Sequence, residues 1–452
     1  MIQTIRNAWA VPELRKKMLF TVFALLIFRL GSAIPVPYID STTLEQHLQT
    51  QSGTILGLMN AMSGSAFSMA TIFALSIQPY INSSIIIQLL TVAIPALERM
   101  AKEGGEEGRK KIASITRYTT VAIGLIQGFG YYSLINSYGL VDTEGLPALW
   151  VGIVIVLSFT AGSAFLMWLG EQITEFGIGN GISIILFAGI VSRFPHMVSD
   201  VYHGVTAWMD PLTQEEFTAM NWSEAQIAAY QKSLLAPWMV AVVILGMLAL
   251  VVFIVFISNA ERRLPVQYAK RVVGRKMYGG QSTHIPMKVN MSGVMPIIFA
   301  QSIAALPATI GAFAGWTTQN SLLMRLFDTS KPFYSILYFL LIVGFSYFYA
   351  TMQFNPVEVS NNLKKNGGFI PGFRPGKPTA DFITKVLNKI TMFGALYLSV
   401  VAIAPIITGN IFGYHSLAIG GTSVIIVVGV ALETVKQMEA QMLMRHYKGF
   451  LE

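Results

Sequence analysis

Five polar side chains, Gln78, Asn82, Ser83, Ser84 and Gln88, interrupt an isoleucine-rich run between residues 72 and 95. Amides and hydroxyls are poor nucleophiles, and in an apolar setting they cost free energy unless they face a partner or water. The spacing therefore allows two readings: hydrogen bonding between packed helices, or a helix that at times lines an aqueous path. Ile77 and Ile81 lie four residues apart and share one helix face. Ile182 and Leu186 repeat that spacing in a second apolar stretch.

Reaction chemistry finds little else. Gly372-Phe-Arg-Pro-Gly-Lys-Pro-Thr379 has three residues between its glycines where a phosphate loop needs four, and Pro378 stands where a hydroxyl should hold the metal. Gly177-Ile-Gly-Asn-Gly181 joins two apolar stretches, so it reads as a helix start and not a dinucleotide fingerprint. The six His show no metal spacing, and the absence of Cys excludes disulfide and thiolate chemistry. No cofactor is expected, and the chain does not read as an enzyme. Ion-coupled carriers need carboxylates at membrane depth. All 23 Asp and Glu lie in loops or near the ends of apolar stretches, with Glu171, Glu175 and Glu433 coming closest.

The elements that must carry these residues are membrane spans. The chain has 452 residues, 53% hydrophobic and 12% charged, with a mean hydropathy of +0.57. Soluble domains carry roughly 25% charged residues. Ten stretches predict helices that cross a bilayer: 18–35, 72–95, 115–136, 149–169, 180–194, 236–258, 291–314, 333–353, 386–407 and 421–437. With the N-terminus cytoplasmic, and residues at span ends counted with the adjoining loop, 26 of 31 Lys and Arg fall on the cytoplasmic side. The outer side holds only Arg193, Lys232, Arg325 and Lys331, and Arg29 lies inside the first span. Positive loops resist translocation, so this topology satisfies the charge rule throughout. Gly31-Ser-Ala33 resembles a signal-peptidase site, but cleavage there would break the alternation.

Five spans begin in the cytoplasm and the next five begin outside. This predicts an all-α polytopic protein of two inverted five-helix halves, with a path at their meeting surface. The halves are residues 1–195 and 236–452, joined by an acidic outer loop over 196–235. Residues 54–70 are uncharged, rich in small residues and too short to cross, so they read as a re-entrant piece. Two basic cytoplasmic loops, 259–290 and 355–385, far exceed what a helix connection needs. Tyr268, Tyr278 and Phe369 lie among their charges, which suits RNA or an acidic protein surface.

At these loops the chain resembles the SecY/Sec61-alpha family over essentially its full length. The resemblance rests on Tyr268-Ala-Lys-Arg271, Gln281-Ser-Thr-His-Ile-Pro-Met-Lys-Val-Asn290, Asn362-Leu-Lys-Lys365, Pro371-Gly-Phe-Arg-Pro-Gly376 and Gly420-Gly-Thr-Ser423, with Met167-Trp-Leu-Gly-Glu-Gln-Ile173 and Gly177-Ile-Gly-Asn-Gly-Ile-Ser183. The Gln-Ser-Thr-His block looks bacterial. The family implies a clamshell, hinged between the fifth and sixth helices, that conducts unfolded polypeptide and releases apolar segments sideways into the bilayer. It implies a waist ring at Ile77, Ile81, Ile182, Leu186, Ile298 and Ile426, with Leu186 standing where Ile is usual. It implies a plug in the 54–70 segment, with Leu58, Met59, Asn60, Ala61, Met62, Ser63, Gly64, Ser65 and Ala66 at its centre. Ser63-Gly-Ser-Ala66 departs there from the usual Ser-Gly-Gly-Ala.

The second and third helices would face the seventh and eighth across a lateral gate, with Gln88, Gln127 and Asn290 as a polar cluster. Arg374 matches a functionally critical loop arginine. Lys377, Lys364 and Lys365 lie near it, and Lys270, Arg271, Arg275 and Lys276 fit a ribosome-contacting tip. The implied partners are SecE, SecG, the motor ATPase SecA, the ribosome through its rRNA, translocating preproteins with their signal sequences, and membrane lipid. The implied location is the bacterial plasma membrane, with both termini cytoplasmic. A secondary transporter of a small solute is the alternative, disfavoured by the missing intramembrane carboxylates. A scaffold that only docks ribosomes is disfavoured by the plug and ring.

Overall fold

The computed structural model describes residues 2–49, 55–102, 104–143, 145–211, 236–268, 271–273, 276–278, 282–291, 293–314, 316, 321–328, 331–412 and 415–448. Helix α1 (Ile2–Ala10) is amphipathic and buries Ala8 against Met438 and Leu14. Helix α2 (Pro12–Gly31) follows, with proline at its first turn, where no backbone donor is lost. Outside the spans, α3 (Ser41–Gln49) is capped by Asp40, whose carboxylate accepts from the Thr43 and Thr42 hydroxyls at 2.6 and 2.7 Å. The short α4 (Ile55–Ser63) then precedes α5 (Gln78–Ala93). The second span thus becomes helical only at Gln78, because Ala70 and Ser76 adopt positive φ and fold the preceding residues into turns. Helix α5 bends by 105° into α6 (Pro95–Lys102). Ile94 sits extended before Pro95, where the proline ring disfavours helical backbone.

Helices α7 (Gly105–Ser137) and α8 (Ala148–Phe176) pack on each other and on α5. Asn180 caps α9 (Gly181–Ser192), its Oδ1 accepting from the Ile182 and Ser183 amides at 3.1 and 3.4 Å. The Gly177–Gly181 motif is therefore a helix start. A side chain at Gly181 would meet the Gly170 carbonyl at 1.9 Å, so glycine lets α9 close onto α8. Helix α10 (Phe194–Met209) carries the fifth span outward beyond its expected end, since Pro195 falls at a first-turn position a helix tolerates.

Helix α11 (Pro237–Asn259) has the highest hydropathy of the candidate spans, yet only 11% of its most apolar window is buried, so the rest of the chain leaves it open almost all round. In α12 (Met295–Phe313) the figure is 78%. Its alanines let neighbours approach closely, and it packs against α4, α5 and α7. After α13 (Leu322–Leu326), α14 (Pro332–Gln353), α15 (Pro356–Lys365), α16 (Lys377–Phe412) and α17 (His415–Lys448) complete the helices. Six of the ten expected spans fall on helices long and apolar enough to cross by themselves among the described residues, seven with the bent α5–α6 pair. The other three fall on α2, α7 and α17, whose charged ends lower their hydropathy.

The basic loops differ from expectation. They hold strands β1 (Glu261–Tyr268), β2 (Arg271–Val273), β3 (Lys276–Tyr278), β4 (Ser282–Lys288) and β5 (Gly368–Phe369). β1 lies between β4 and β5, antiparallel to both. Leu264 and Val266 alternate inward, and Pro265 lies beyond the two-residue reach of β5, where no ladder donor is required. Leu264, Val266, Met287, Leu363, Ile370 and Ile383 form a core joining both loops. The two loops are one small body, separate from the main helical core.

Candidate functional site

The centre of the helical body is occupied by α4, an uncharged helix too short to cross a membrane. It packs on α9 from the first half of the chain and on α12 and α17 from the second. Its C-terminal end folds back on itself. The Phe67 amide donates to Ser63 Oγ at 3.0 Å, and the Ser68 amide to Asn60 Oδ1 at 3.0 Å. Gly64 and Ser65 have φ of +67° and +73°. Ser65 thus carries a Cβ in a region that favours glycine, at a cost of roughly 1–2 kcal/mol. At Gly64 a Cβ would meet Ser192 Oγ at 2.5 Å and the Gly189 carbonyl at 2.8 Å, so glycine allows the seat against α9.

Soft contacts hold this segment. Gln78 Nε2 donates to Met62 Sδ at 3.3 Å, and the Thr309 hydroxyl approaches Met59 Sδ at 3.9 Å. Arg29, the charge inside the first span, donates to the Gly64 carbonyl at 3.4 Å. Tyr131 donates to the Phe67 carbonyl and stacks on its ring. Met59, Met62, Ser63, Gly64 and Ala66 are buried, and Asn60 and Ser65 are half-buried. Leu58 and Ala61 lie on α4, with side chains outside the described residues.

Beside α4, between α5, α7 and α12, lies a small cavity lined by Met59, Gln78, Asn82, Gln127, Gln301, Ser302 and Thr309, among others. Its free volume of about 10 Å³ is close to that of one water. Asn82 Oδ1, Gln127 Oε1, Gln301 Oε1 and Ser302 Oγ are buried there without a hydrogen-bond partner. Buried polar groups are nearly always paired, so four atoms without a protein partner around one small cavity set this seam apart. Of the expected gate cluster, Gln127 lines this cavity. Gln88 does not, and its amide instead donates to Ser84 Oγ at 3.0 Å. Asn290 lies before α12 and away from the cavity, its Oδ1 buried and unpaired. Gln301, Ser302 and Thr309 were not anticipated. The signal was available, since they interrupt the seventh span as Gln78 and Asn82 interrupt the second.

Ile77, Ile81, Leu186, Ile298 and Ile426 are buried in the main hydrophobic core, and Ile182 packs against it. Ile77 caps α5, and its carbonyl accepts from the Ile81 amide at 3.0 Å. On the small strand-containing body, Arg374 is exposed on a loop between Gly372 and Gly376, both at positive φ. The loop is braced: Thr379 Oγ1 donates to the Arg374 carbonyl at 2.8 Å, Ser360 Oγ to the Gly376 carbonyl at 2.7 Å, and Phe373 stacks on Phe382 at 4.1 Å. Lys364, Lys365 and Lys377 are exposed nearby. Arg271 and Lys276 lie on the β2–β3 pair, with side chains outside the described residues, and Lys270 and Arg275 lie outside them altogether. Glu171 makes a two-pronged ion pair with Arg117 at 3.0 and 2.9 Å. No group of three or more His, Asp or Glu is arranged for a metal among the described residues.

A sequence profile of the SecY family matches residues 71–435. Protein translocase subunit SecY of Streptomyces coelicolor is 43% identical over 465 residues, with all of both chains covered. The Bacillus subtilis protein of the same name is 42% identical, again over all of both chains. In fold, the chain resembles a solved protein-conducting channel with a TM-score of 0.63 and 16% identity, over 95% of this chain and 92% of the other. It also resembles Sec61 from a canine ribosome–channel complex of the endoplasmic reticulum, with a TM-score of 0.60 and 16% identity over the same shares. This chain belongs to the SecY family.

Proposed function

We propose that α4 is the plug of a channel for unfolded polypeptide, seated over an aliphatic ring and beside a lateral gate. As a SecY family member the chain is a protein-translocation channel and not an enzyme, and nothing supports the small-solute carrier. The observation that carries the plug reading is the placement of α4, an uncharged, non-spanning helix wedged between elements of both halves and held by thioether contacts and a few hydrogen bonds.

A pore for polypeptide must be wide when occupied and tight when empty. Ile77, Ile81, Ile182, Leu186, Ile298 and Ile426 form a collapsible gasket, each burial favourable by roughly 1.5–3 kcal/mol. Narrow apolar constrictions also dewet, whereas a charged ring would bind ions and leak. The seam between α5, α7 and α12 then sorts the passing chain. A central Leu or Ile favours lipid by about 0.3–0.6 kcal/mol, whereas a central charge costs about 2.5–3.5. Twenty apolar residues thus gain roughly 6–12 kcal/mol, enough to leave sideways despite one or two charges. Segments below that threshold pass through.

The chain carries no engine. SecA or a translating ribosome supplies the drive, docking on the cytoplasmic body at Arg374, Lys377, Lys364 and Lys365 and at the β2–β3 tip with Lys270, Arg271, Arg275 and Lys276. SecE and SecG complete the assembly in the bacterial plasma membrane, with both termini cytoplasmic. The test is electrical. Joint polar replacement of Ile81, Ile182 and Ile298 should raise the resting ion conductance of reconstituted channels in planar bilayers. Unchanged conductance rejects the ring.

A further inference from the structure

Tyr131 on α7 has a role that neither the ring nor the polar seam accounts for. It is fully buried, and its hydroxyl donates to the Phe67 carbonyl, just past the plug helix. Its ring meets three others: Phe67 at 4.3 Å, Phe159 of α8 at 5.0 Å and Phe313 of α12 at 6.3 Å. Phe313 is the last residue of α12, and its ring lies directly on the neighbouring turn of α7. A Cβ built at Gly130 would fall 2.4 Å from it, so only glycine leaves room for that ring. The α7–α12 seam is thus unpaired and polar at its middle and aromatic at its outer end. That aromatic end is also where the plug segment is tied.

Residues past Phe67 are fixed to the body. The Val36 amide donates to the Ala70 carbonyl at 3.0 Å, and the Ile72 amide to the Ile34 carbonyl at 3.0 Å. The positive-φ pair Gly64–Ser65 therefore separates a docked strap from the plug helix proper. Tyr131 sits on the strap side of that break and touches the opposing gate helix with the same ring. We infer that Tyr131 is a positioning residue that couples the two closures: Phe313 against Gly130 and Tyr131 holds the gate shut, and Tyr131 against Phe67 holds the strap on which the plug is seated. A group that contacts both elements makes each closure favour the other, and by linkage the effect is reciprocal. Parting α7 from α12 removes Phe313 from the aromatic cluster and loosens the plug, and loosening Phe67 weakens the gate. This rests on the plug reading above.

The test uses the reconstituted complex with Tyr131→Phe, which keeps the ring and deletes the donor, and Phe313→Leu, which keeps the bulk and deletes the aromatic face. Plug seating is read as resting ion conductance. Gate separation is read by electron–electron distance measurement between labels on Phe129→Cys and Ile310→Cys, exposed positions of α7 and α12 in a chain without native cysteine. Loss of one buried hydrogen bond should raise the open population about fivefold. The expected result is that each variant moves both readouts and that the double variant does less than the product of the two. Tyr131→Phe that raises conductance with an unchanged label distance, or Phe313→Leu that widens the distance with no leak, overturns the coupling. Should Phe313→Leu not assemble, the label distance in Tyr131→Phe decides alone. Deletion of residues 55–65 is the reference. If the deletion leaks while the coupling variants stay silent, only this inference falls. If the deletion does not leak, the plug reading falls with it.

Discussion

Replacing Gln127 and Gln301 by leucine should make the gate harder to open. Both amides are buried, at 8% and 4% exposure, and both Oε1 atoms lack a partner in the closed seam. One water fits the cavity and makes about three hydrogen bonds. Four unpaired atoms line it, so at least one stays unsatisfied. Such a group costs about 1–3 kcal/mol. Leucine is close in size and removes the carbonyl, so the closed state gains roughly 2 kcal/mol, about a thirtyfold drop in spontaneous opening. A signal segment must make up that difference by its own preference for lipid. At about 0.5 kcal/mol per central leucine the deficit is roughly four leucines. The assay is export of a reporter carrying signal segments graded in leucine count, in cells whose only channel is the double variant. The export midpoint should move toward more leucines. A midpoint that stays put, or moves toward fewer, refutes the claim that the unpaired amides set the opening threshold.

Three further outcomes are expected. Gly64→Ala should leak at rest, because its Cβ would combine positive φ, worth roughly 1–2 kcal/mol, with a clash against Gly189, and Arg29→Gln should leak less; resting conductance ranks the two. Arg374→Ala should lower SecA-stimulated ATPase and secretion with folding intact, since the side chain is exposed and the loop brace uses only its carbonyl; normal values for both remove that role. The Thr43 and Thr42 hydroxyls and amides hold the Asp40 carboxylate down to about 2 from its ordinary 3.8. A depressed carboxylate stabilises above the unfolded value, so α3 should keep its cap at pH 5 and lose it as pH falls through about 2. Hydrogen exchange of the Thr42 and Thr43 amides checks this, with Asp40→Asn flattening the dependence.

The membrane body was legible because apolar runs and the one-sided distribution of Lys and Arg are strong, redundant signals. The loops were less so. β1 reads Glu-Arg-Arg-Leu-Pro-Val-Gln-Tyr, where two inward residues and a proline make a weak strand pattern inside a basic stretch. The fifth span was expected to end at 194, whereas Pro195 takes a first-turn position of α10, and Ser76 gave no hint of positive φ. At the site, Gln127 came from the family resemblance and does line the cavity. Gln88 and Asn290 came from the same resemblance and do not line it, since a family match does not say which face a side chain takes in this chain. Gln301, Ser302 and Thr309 interrupt the seventh span as Gln78 and Asn82 interrupt the second, yet that span reads as apolar when taken whole. What periodicity could not supply was adjacency across helices far apart in the chain.

Helix α16 begins at Lys377, three residues past Arg374, and runs to Phe412 with Pro405 near its far end, roughly 54 Å at 1.5 Å per residue. Its first turns are rooted in the small strand-bearing core through Ile383 and Leu387, and its later turns lie in the main helical core through Leu398 and Val401. A partner that presses on the loop ahead of it therefore grips the short end of a lever. The torque reaches mid-bilayer without crossing a flexible joint, and the far arm leans on α14 and α17. On the proposed docking, a contact made in the aqueous phase would become a tilt inside the lipid.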